Sequence, residues 1–334
     1  MNPEDSLLSP ITGSEEEPLE RSLRPDSFSD YVGQSSVKES LRIAIESAKK
    51  RHTTVDHVLL YGPPGLGKTS LAHLIAKEMG GNLRTTSGPV ISKAGDLAAI
   101  LTNLQEGDIL FIDEIHRMQR SIEEILYPAM EDGCLDIMLG KGPSARSLRL
   151  DLPAFTLVGA TTRAGALSQP LRERFGLLHR LDYYEEEDLA AILDRSSRLL
   201  NMDITQPALL HLAGRARRTP RVANRLLRRL RDFALVKNHD HIGIEEVELA
   251  LRQLQIDHLG LDKTDRQLLT IMHTQFSGGP VGLDTLAAAT GEEAATIEDV
   301  IEPFLLRLGL LDRTPRGRIL TEAATRHLAV DGLS

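Results

Sequence analysis

Apolar positions recur along this chain in two rhythms, and the rhythm changes with position. In "SSVKESLRIAIESAKKR" they return every three or four residues, which predicts an amphipathic helix. "HVLLYG", "DILFIDE" and "FTLVGATT" are short unbroken apolar runs, as expected of strands buried on both faces. Between the first two of these, "KTSLAHLIAKEMG" returns to helical spacing and closes on Gly80 and Gly81. Strands alternating with helices predict an α/β fold with a doubly wound parallel sheet, whose ligands lie beyond the carboxyl ends of the strands.

After Asp182, Tyr183 and Tyr184 the strand-like runs stop, and residues 185–255 read as helices only. A further boundary falls near "QIDHLGLDKTD". Beyond it come helical "KTDRQLLTIMHTQF", a "GGPVG" turn, and a helix–turn–helix rhythm in "VGLDTLAAATGEEAATIEDVIEPFLLRLGLL" with Gly291 at its turn. Two short strands around "RTPRGR", with "ILT" returning, complete the pattern of a winged helix. The expected organisation is therefore a large α/β domain over 1–184, a helical domain over 185–255 and a winged-helix domain over 256–334. Residues 1–20 are acidic and rich in Ser and Pro, and are expected to form a flexible tail. Within the first domain "LDIML" and "SLRLDL" alternate apolar and polar residues on either side of "GKGPSAR", which predicts a β-hairpin at about 135–152. Apolar side chains on a projecting hairpin suit a partner-binding edge.

Charge narrows the picture. The formal net charge is −9, which excludes a protein that coats nucleic acid through a broad basic surface. Local contact through one basic patch stays open, and there are two candidates. "GRARRTPRVANRLLRRLRD", residues 214–232, holds eight arginines, of which one is expected to reach nucleotide and the others to pair with acidic neighbours or an adjacent subunit; "RTPRGR" holds Arg313, Arg316 and Arg318. On a wing, such arginines would meet phosphates without reading bases. The polar, acidic start and the absence of a long apolar run predict neither signal peptide nor membrane span, and a cytoplasmic location. The single cysteine, Cys134, reads as a small, partly buried side chain, and "HDH" at 239–241 lacks zinc spacing, so no structural metal is expected.

The sharpest chemical signal is "GPPGLGKT", Gly62 to Thr69, set between a buried strand and a helix. This is the phosphate-binding loop in its required context: backbone N–H groups and the helix dipole make a nest for phosphate oxygens, and glycines such as Gly65 and Gly67 allow close approach. Lys68 suits the β/γ-phosphates and Thr69 offers a hydroxyl to Mg²⁺. At the end of "DILFIDE", Asp113 suits a water-mediated metal ligand and Glu114 can polarise a water for in-line attack on the γ-phosphate. "GATTR" then ends a strand with the hydroxyls of Thr161 and Thr162, and "PLRERFG" presents Arg172 and Arg174 on a polar turn. Either arginine could serve in trans or form a surface ion pair.

These motifs in this order, followed by a helical segment with "TPR", resemble the AAA+ ATPases. The longer blocks "LRTTSGPV", "KAGDLAAILTNL", "LYPAMEDG", "ARSLRLDLP", "GGPVGLDTLAAATGEE", "TIEDVIEP" and "RTPRGR" are similar to the RuvB family of bacterial Holliday-junction branch-migration motors, from about Arg24 to Arg318. The resemblance implies a P-loop ATPase domain, a helical lid and a winged-helix DNA-binding domain, in a hexameric ring that uses ATP and Mg²⁺ to move duplex DNA in recombination and repair. It implies phosphate and metal roles for Lys68, Thr69 and Ser70, with Asp113 and Glu114 as metal-side acid and water activator. Thr162 stands at the sensor position, with Thr161 beside it as the alternative. Arg174 matches the trans-acting finger better than Arg172, Arg221 matches the second sensor, and Leu23, Arg24 and Tyr184 match the adenine pocket. DNA contacts fall on Arg313, Arg316 and Arg318. The implied partners are Holliday-junction DNA, RuvA through the hairpin, and RuvC in the same complex. Arg218 departs from the family pattern, which has glycine before "TPR".

Overall fold

The computed structural model describes residues 22–139 and 146–330. The N-terminal segment expected to be a tail and the turn at 140–145 of the expected hairpin lie outside the described residues. The chain divides into two compact units, one over Arg24–Tyr183 and one over Tyr184–Ser334 together with the segment ending at Leu23.

The first unit is built on five parallel strands. They are β1 (Val58–Tyr61), β2 (Leu83–Ser87), β3 (Ile109–Asp113), β6 (Thr156–Thr161) and β7 (Leu177–Arg180). Their order is β2-β3-β6-β1-β7. The three central strands are the three apolar runs, and nearly every side chain in them is buried. The edge strands β2 and β7 were not expected from the pattern. Both are half-exposed, so "LRTTS" and "LLHR" need no apolar run to hold their places. Helices α1 (Ser35–Arg51), α2 (Lys68–Met79), α3 (Ala94–Thr102), α4 (Arg120–Glu131) and α5 (Gln169–Glu173) complete the unit. One core gathers Leu59, Leu97, Leu110, Ile112, Leu126 and Leu171, each wholly buried. Each such side chain stabilises the fold by roughly 1.5–3 kcal/mol over its exposed form.

The hairpin is present as β4 (Cys134–Leu139) against β5 (Arg146–Asp151), antiparallel from Cys134↔Asp151 to Leu139↔Arg146. Its base is rooted in the same core through Leu135, with Leu150 and Leu152 packed against it. Cys134 is buried at that base.

The second unit begins with four helices, α6 (Glu186–Leu199), α7 (Gln206–Ala213), α8 (Pro220–Lys237) and α9 (Ile244–Gln253). The segment is not purely helical as expected. Two-residue strands β8 (Asp203–Ile204) and β9 (His241–Ile242) pair in parallel and staple the loops that enter α7 and α9. Runs this short carry no periodicity. Helix α8 starts on Thr219, whose hydroxyl accepts from the Val222 amide, with Pro220 in its first turn. Its apolar stripe buries Leu226, Leu227 and Leu230, and the arginines lie off that stripe.

The winged-helix segment follows. It comprises α10 (Lys263–Phe276), α11 (Leu283–Thr290), α12 (Ala294–Thr296) running through a π turn into α13 (Glu302–Arg307), then β10 (Leu311–Thr314), β11 (Gly317–Leu320) and α14 (Glu322–Val330). Its own core includes Leu268, Leu269, Met272, Leu286, Ile301 and Leu305. Gly291 takes a left-handed φ of 76° at the end of α11, where the helix–turn–helix pattern requires its turn.

The helical and winged-helix segments are joined by buried charge. Arg217, just ahead of α8, is 7 % exposed at its side chain and faces Asp262 and Asp265, exposed by 7 % and 0 %. Its Nε donates to the Gly260 carbonyl at 3.2 Å, and its guanidinium lies 4.7 Å over the Phe304 ring. A second tie runs from His327 in α14 to the Asp257 carboxylate at 2.9 Å. Among the described residues no helix is long and apolar enough to cross a membrane.

Candidate functional site

The sheet order sets β1, β6 and β3 side by side and parallel, so their carboxyl ends converge. The loop Gly62–Thr69 leaves β1, Asp113 and Glu114 leave β3, and Thr161 and Thr162 leave β6. Motifs about fifty residues apart in sequence thus meet at the carboxyl end of the sheet.

The loop is shaped by its glycines. Gly62 has φ +143°, and a Cβ there would lie 2.4 Å from the Leu181 carbonyl oxygen. Gly67 has φ +95°, and its Cβ would meet the Tyr31 hydroxyl at 2.7 Å. Conformation disfavours a side chain at both positions, and at Gly62 the backbone leaves no space for one. The Gly62 amide donates to the Thr161 carbonyl at 3.1 Å, tying the loop to the β6 end. Lys68 is buried, and its ammonium donates to the Gly62 and Pro63 carbonyls at 2.8 and 2.9 Å. It is therefore held inside the curve of the loop. Gly65 has φ 79° in the same loop. Thr69 and Ser70 follow in the first turn of α2, both half-buried.

Asp113 accepts the Glu114 amide at 2.9 Å. Glu114 adopts a left-handed φ of 49°, unusual for a residue with a side chain. Gly88 packs against it so tightly that a Cβ would sit 2.4 Å from the Glu114 carbonyl oxygen. A strained conformation held by its surroundings is a mark of functional positions. The Glu114 carboxylate lies 3.5 Å from Nε2 of His116, and Nδ1 of that ring is 2.9 Å from the Thr161 hydroxyl. Thr161 is wholly buried and also accepts the Arg163 amide at 2.9 Å. Its hydroxyl is thus engaged within the protein, whereas Thr162 is half-buried beside it. His116 was not singled out from the sequence; the only available signal was its place two residues beyond Glu114.

Arg174 caps α5 and is bound to α4. Its guanidinium donates to Glu131 at 3.0 Å and to the Pro170 carbonyl at 2.7 Å, and it stacks 4.4 Å over Tyr127. Its side chain is 21 % exposed, whereas Arg172 is exposed. Neither arginine is placed among the three strand ends by any of these bonds.

In the second unit Arg221 is exposed in the first turn of α8. Tyr184 is buried and its amide donates to the Arg218 carbonyl at 3.0 Å; Leu23 is buried and its carbonyl accepts from Arg195 at 3.0 Å. Arg24 is half-buried in the first unit. Arg218 takes the left-handed conformation, φ 56°, that glycine would adopt without strain, so the helix start keeps its geometry despite the departure in sequence.

The wing requires a correction. Arg313 and Arg318 are direct cross-strand neighbours, but they differ in surroundings. Arg318 is 6 % exposed, and its guanidinium donates to Glu302 at 3.1 and 2.8 Å. It is a core ion pair of the winged helix rather than a cation at the tip. Arg313 is exposed but leans on Glu298 at 3.2 Å, and Arg316, at the turn, is exposed. The acidic residues that neutralise these arginines come from the helical stretch preceding the wing. No group of three or more metal-ligating side chains suited to a bound ion occurs among the described residues.

Comparison with known proteins agrees with this layout. Residues 23–181 match the family described as the Holliday junction DNA helicase RuvB P-loop domain, 184–257 the RuvB AAA lid domain, and 258–329 the RuvB C-terminal winged helix domain. Among solved structures the chain is similar to the Thermotoga maritima RuvB Holliday junction branch migration motor, at 49% identity and a TM-score of 0.84, over 92% of this chain and 98% of that one. Two variants of the same Thermotoga maritima protein match at a TM-score of 0.85 with the same identity and coverage.

Proposed function

Because the chain belongs to the RuvB family of Holliday junction DNA helicases, we propose that the strand-end site hydrolyses ATP and that the winged helix converts each cycle into movement of duplex DNA. The observation that carries this is the convergence of the P-loop, Asp113–Glu114 and Thr161–Thr162 on neighbouring parallel strands.

The roles proposed here carry the family pattern onto these residues. The loop amides and the α2 dipole receive the phosphates, with Lys68 and Ser70 adding contacts. Thr69 and Asp113 supply hard oxygen ligands of the kind Mg²⁺ takes, and the ion would neutralise charge on the β- and γ-phosphates. Glu114 orients the attacking water and accepts its proton as the new O–P bond forms and the bond from the γ-phosphorus to the β–γ bridging oxygen breaks, releasing ADP and phosphate. Thr162, with its hydroxyl outside the network that holds Thr161, reads the γ-phosphate. The family pattern assigns Arg221 the part of second sensor and Leu23, Arg24 and Tyr184 that of adenine-pocket residues. Arg174, braced on Tyr127 and Glu131 of α4, completes the site of a neighbouring subunit in a head-to-tail hexameric ring. The hairpin β4–β5 docks RuvA, RuvC joins the same assembly, and Arg316 with Arg313 contacts DNA phosphates.

The test is ATP-dependent dissociation of a synthetic four-way junction, with and without RuvA. Wild-type protein should move the junction, and Lys68→Ala and Glu114→Gln should not. Mixing Glu114→Gln with Arg174→Ala should restore some hydrolysis, because some interfaces then join an intact Glu114 to an intact Arg174. Hydrolysis without junction movement under either condition would refute the motor reading.

A further inference from the structure

We propose that His116 is a positioning residue that holds the Glu114 carboxylate and links it to the end of β6. The inference rests on the reading of Glu114 as water activator.

Two backbone segments meet in this relay, the stretch leaving β3 and the end of β6. Glu114 follows β3, His116 lies in the short 3₁₀ turn Ile115–Arg117, and Thr161 ends β6. The imidazole is 9 % exposed and has one nitrogen on each partner: Nε2 is 3.5 Å from the Glu114 carboxylate and Nδ1 is 2.9 Å from the Thr161 hydroxyl. The hydrogen positions follow from the Thr161 oxygen. It accepts the Arg163 amide, and its own buried proton is donated to Nδ1 of His116. The ring hydrogen is then on Nε2, which points to Glu114. A donor here favours a carboxylate turned toward the sensor strand, at a separation of 3.5 Å that is longer than a full hydrogen bond.

The relay also reaches the phosphate loop, because the Thr161 carbonyl accepts the Gly62 amide. A shift of the β6 end when Thr162 engages the γ-phosphate therefore passes through Thr161 and His116 to Glu114. The carboxylate is set when the phosphate is present. A carboxylate misplaced by about 1 Å loses on the order of a hundredfold in rate.

Two amide substitutions separate the ends of the relay. The oxygen of Asn falls near the position of Nδ1, so His116→Asn keeps a partner for Thr161 and loses the donor to Glu114. The amide of Gln reaches the position of Nε2, so His116→Gln keeps that donor and loses Thr161. Single-turnover ATP hydrolysis by the full chain on duplex DNA is measured beside equilibrium binding of a non-hydrolysable ATP analogue. The expected result is a fall of roughly ten- to a hundredfold in the chemical step for His116→Asn, about threefold or less for His116→Gln, and analogue binding within about twofold of wild type for both. Thr161→Val should lower the chemical step and Thr161→Ser should restore it. Equal losses for Asn and Gln, or losses in hydrolysis matched by losses in binding, would make His116 a structural plug and overturn the proposal. Glu114→Gln is measured in parallel: if it hydrolyses ATP normally, the reading of the site fails, whereas if it is inactive and the two His116 variants behave alike, only the relay fails.

Discussion

Replacing Arg217 with alanine removes the one guanidinium shared by two nearly inaccessible carboxylates, Asp262 and Asp265, along with the Gly260 carbonyl contact and the stacking on Phe304. Breaking a buried ion pair from one side costs about 3–5 kcal/mol, because the remaining charge has no partner. At roughly 2–4 °C per kcal/mol for a unit of this size, melting should fall by about 10 °C at pH 8. The loss should depend on pH. Burial pushes the Asp265 carboxyl up to about 7 from an ordinary 3.8, with Arg217 acting against that rise. The folded state thus binds this proton more tightly than the unfolded chain. The resulting stability is fully present below about pH 4 and is lost as pH rises through about 7. Without Arg217 the carboxyl shifts higher still, so at pH 5 Asp265 is neutral in both proteins. Asp262 retains the Thr264 and Asp265 amides as donors. The cost at pH 5 should then shrink to roughly 1–2 kcal/mol of lost hydrogen bonding and packing. Calorimetry of the full chain at both pH values checks this, with Arg217→Lys expected to fall between. A loss below about 1 kcal/mol at pH 8, or equal losses at pH 5 and pH 8, would refute the account of Arg217 as the neutralising cation.

Four further outcomes are expected. Arg218→Gly should raise the melting temperature, because relief of the left-handed backbone is worth about 1 kcal/mol and the half-exposed pair with Glu185 contributes less; thermal denaturation decides the sign. Gly62→Ala should abolish binding of ATP analogues, since its Cβ has the Leu181 carbonyl at 2.4 Å and no flexible neighbour to displace; titration with a fluorescent nucleotide checks it. Arg316→Ala should weaken binding to all duplex sequences alike and reduce the slope of log affinity on log salt by about 0.9, with the melting curve unchanged. Arg318→Ala should instead lower the melting temperature of the winged helix, leaving Glu302 buried without its closest cation.

The candidate site was legible because each of its parts is local in sequence. A phosphate loop is a contiguous glycine-rich turn, and an acid pair that ends an apolar run stands at a buried strand's end, so "GPPGLGKT" and "DILFIDE" carry both the candidate residues and their placement. His116 was missed for the opposite reason. Its partner Thr161 lies 45 residues away, and only the adjacency of β3 and β6 brings them together. The same holds for Arg217: in sequence it is one of eight arginines in a basic run, and only the fold sets it against Asp265, 48 residues on. Edge strands escaped because half-exposed segments lack the apolar signal that marks the central ones.

The wing makes the physical distinction most clearly. Sequence counts charges, whereas binding uses those left unpaired. Three arginines within "RTPRGR" suggest a concentrated cationic grip, in a segment from 258 to 334 that holds seven Lys/Arg against eleven Asp/Glu. Burial assigns Arg318 to Glu302, and Glu298 draws Arg313 part of the way. Glu302 is itself buried in the helix that precedes the wing, so this neutralisation is built into the fold and persists at high salt, unlike a surface pair. On the proposed function, Arg316 and the exposed, partly paired Arg313 are what the wing would offer to phosphate, a contact of one or two charges. At about 0.9 in the salt exponent per phosphate, a single wing binds weakly and lets go easily. Several wings acting together around one duplex would hold it firmly while any one of them is released, which is the property a translocating ring requires.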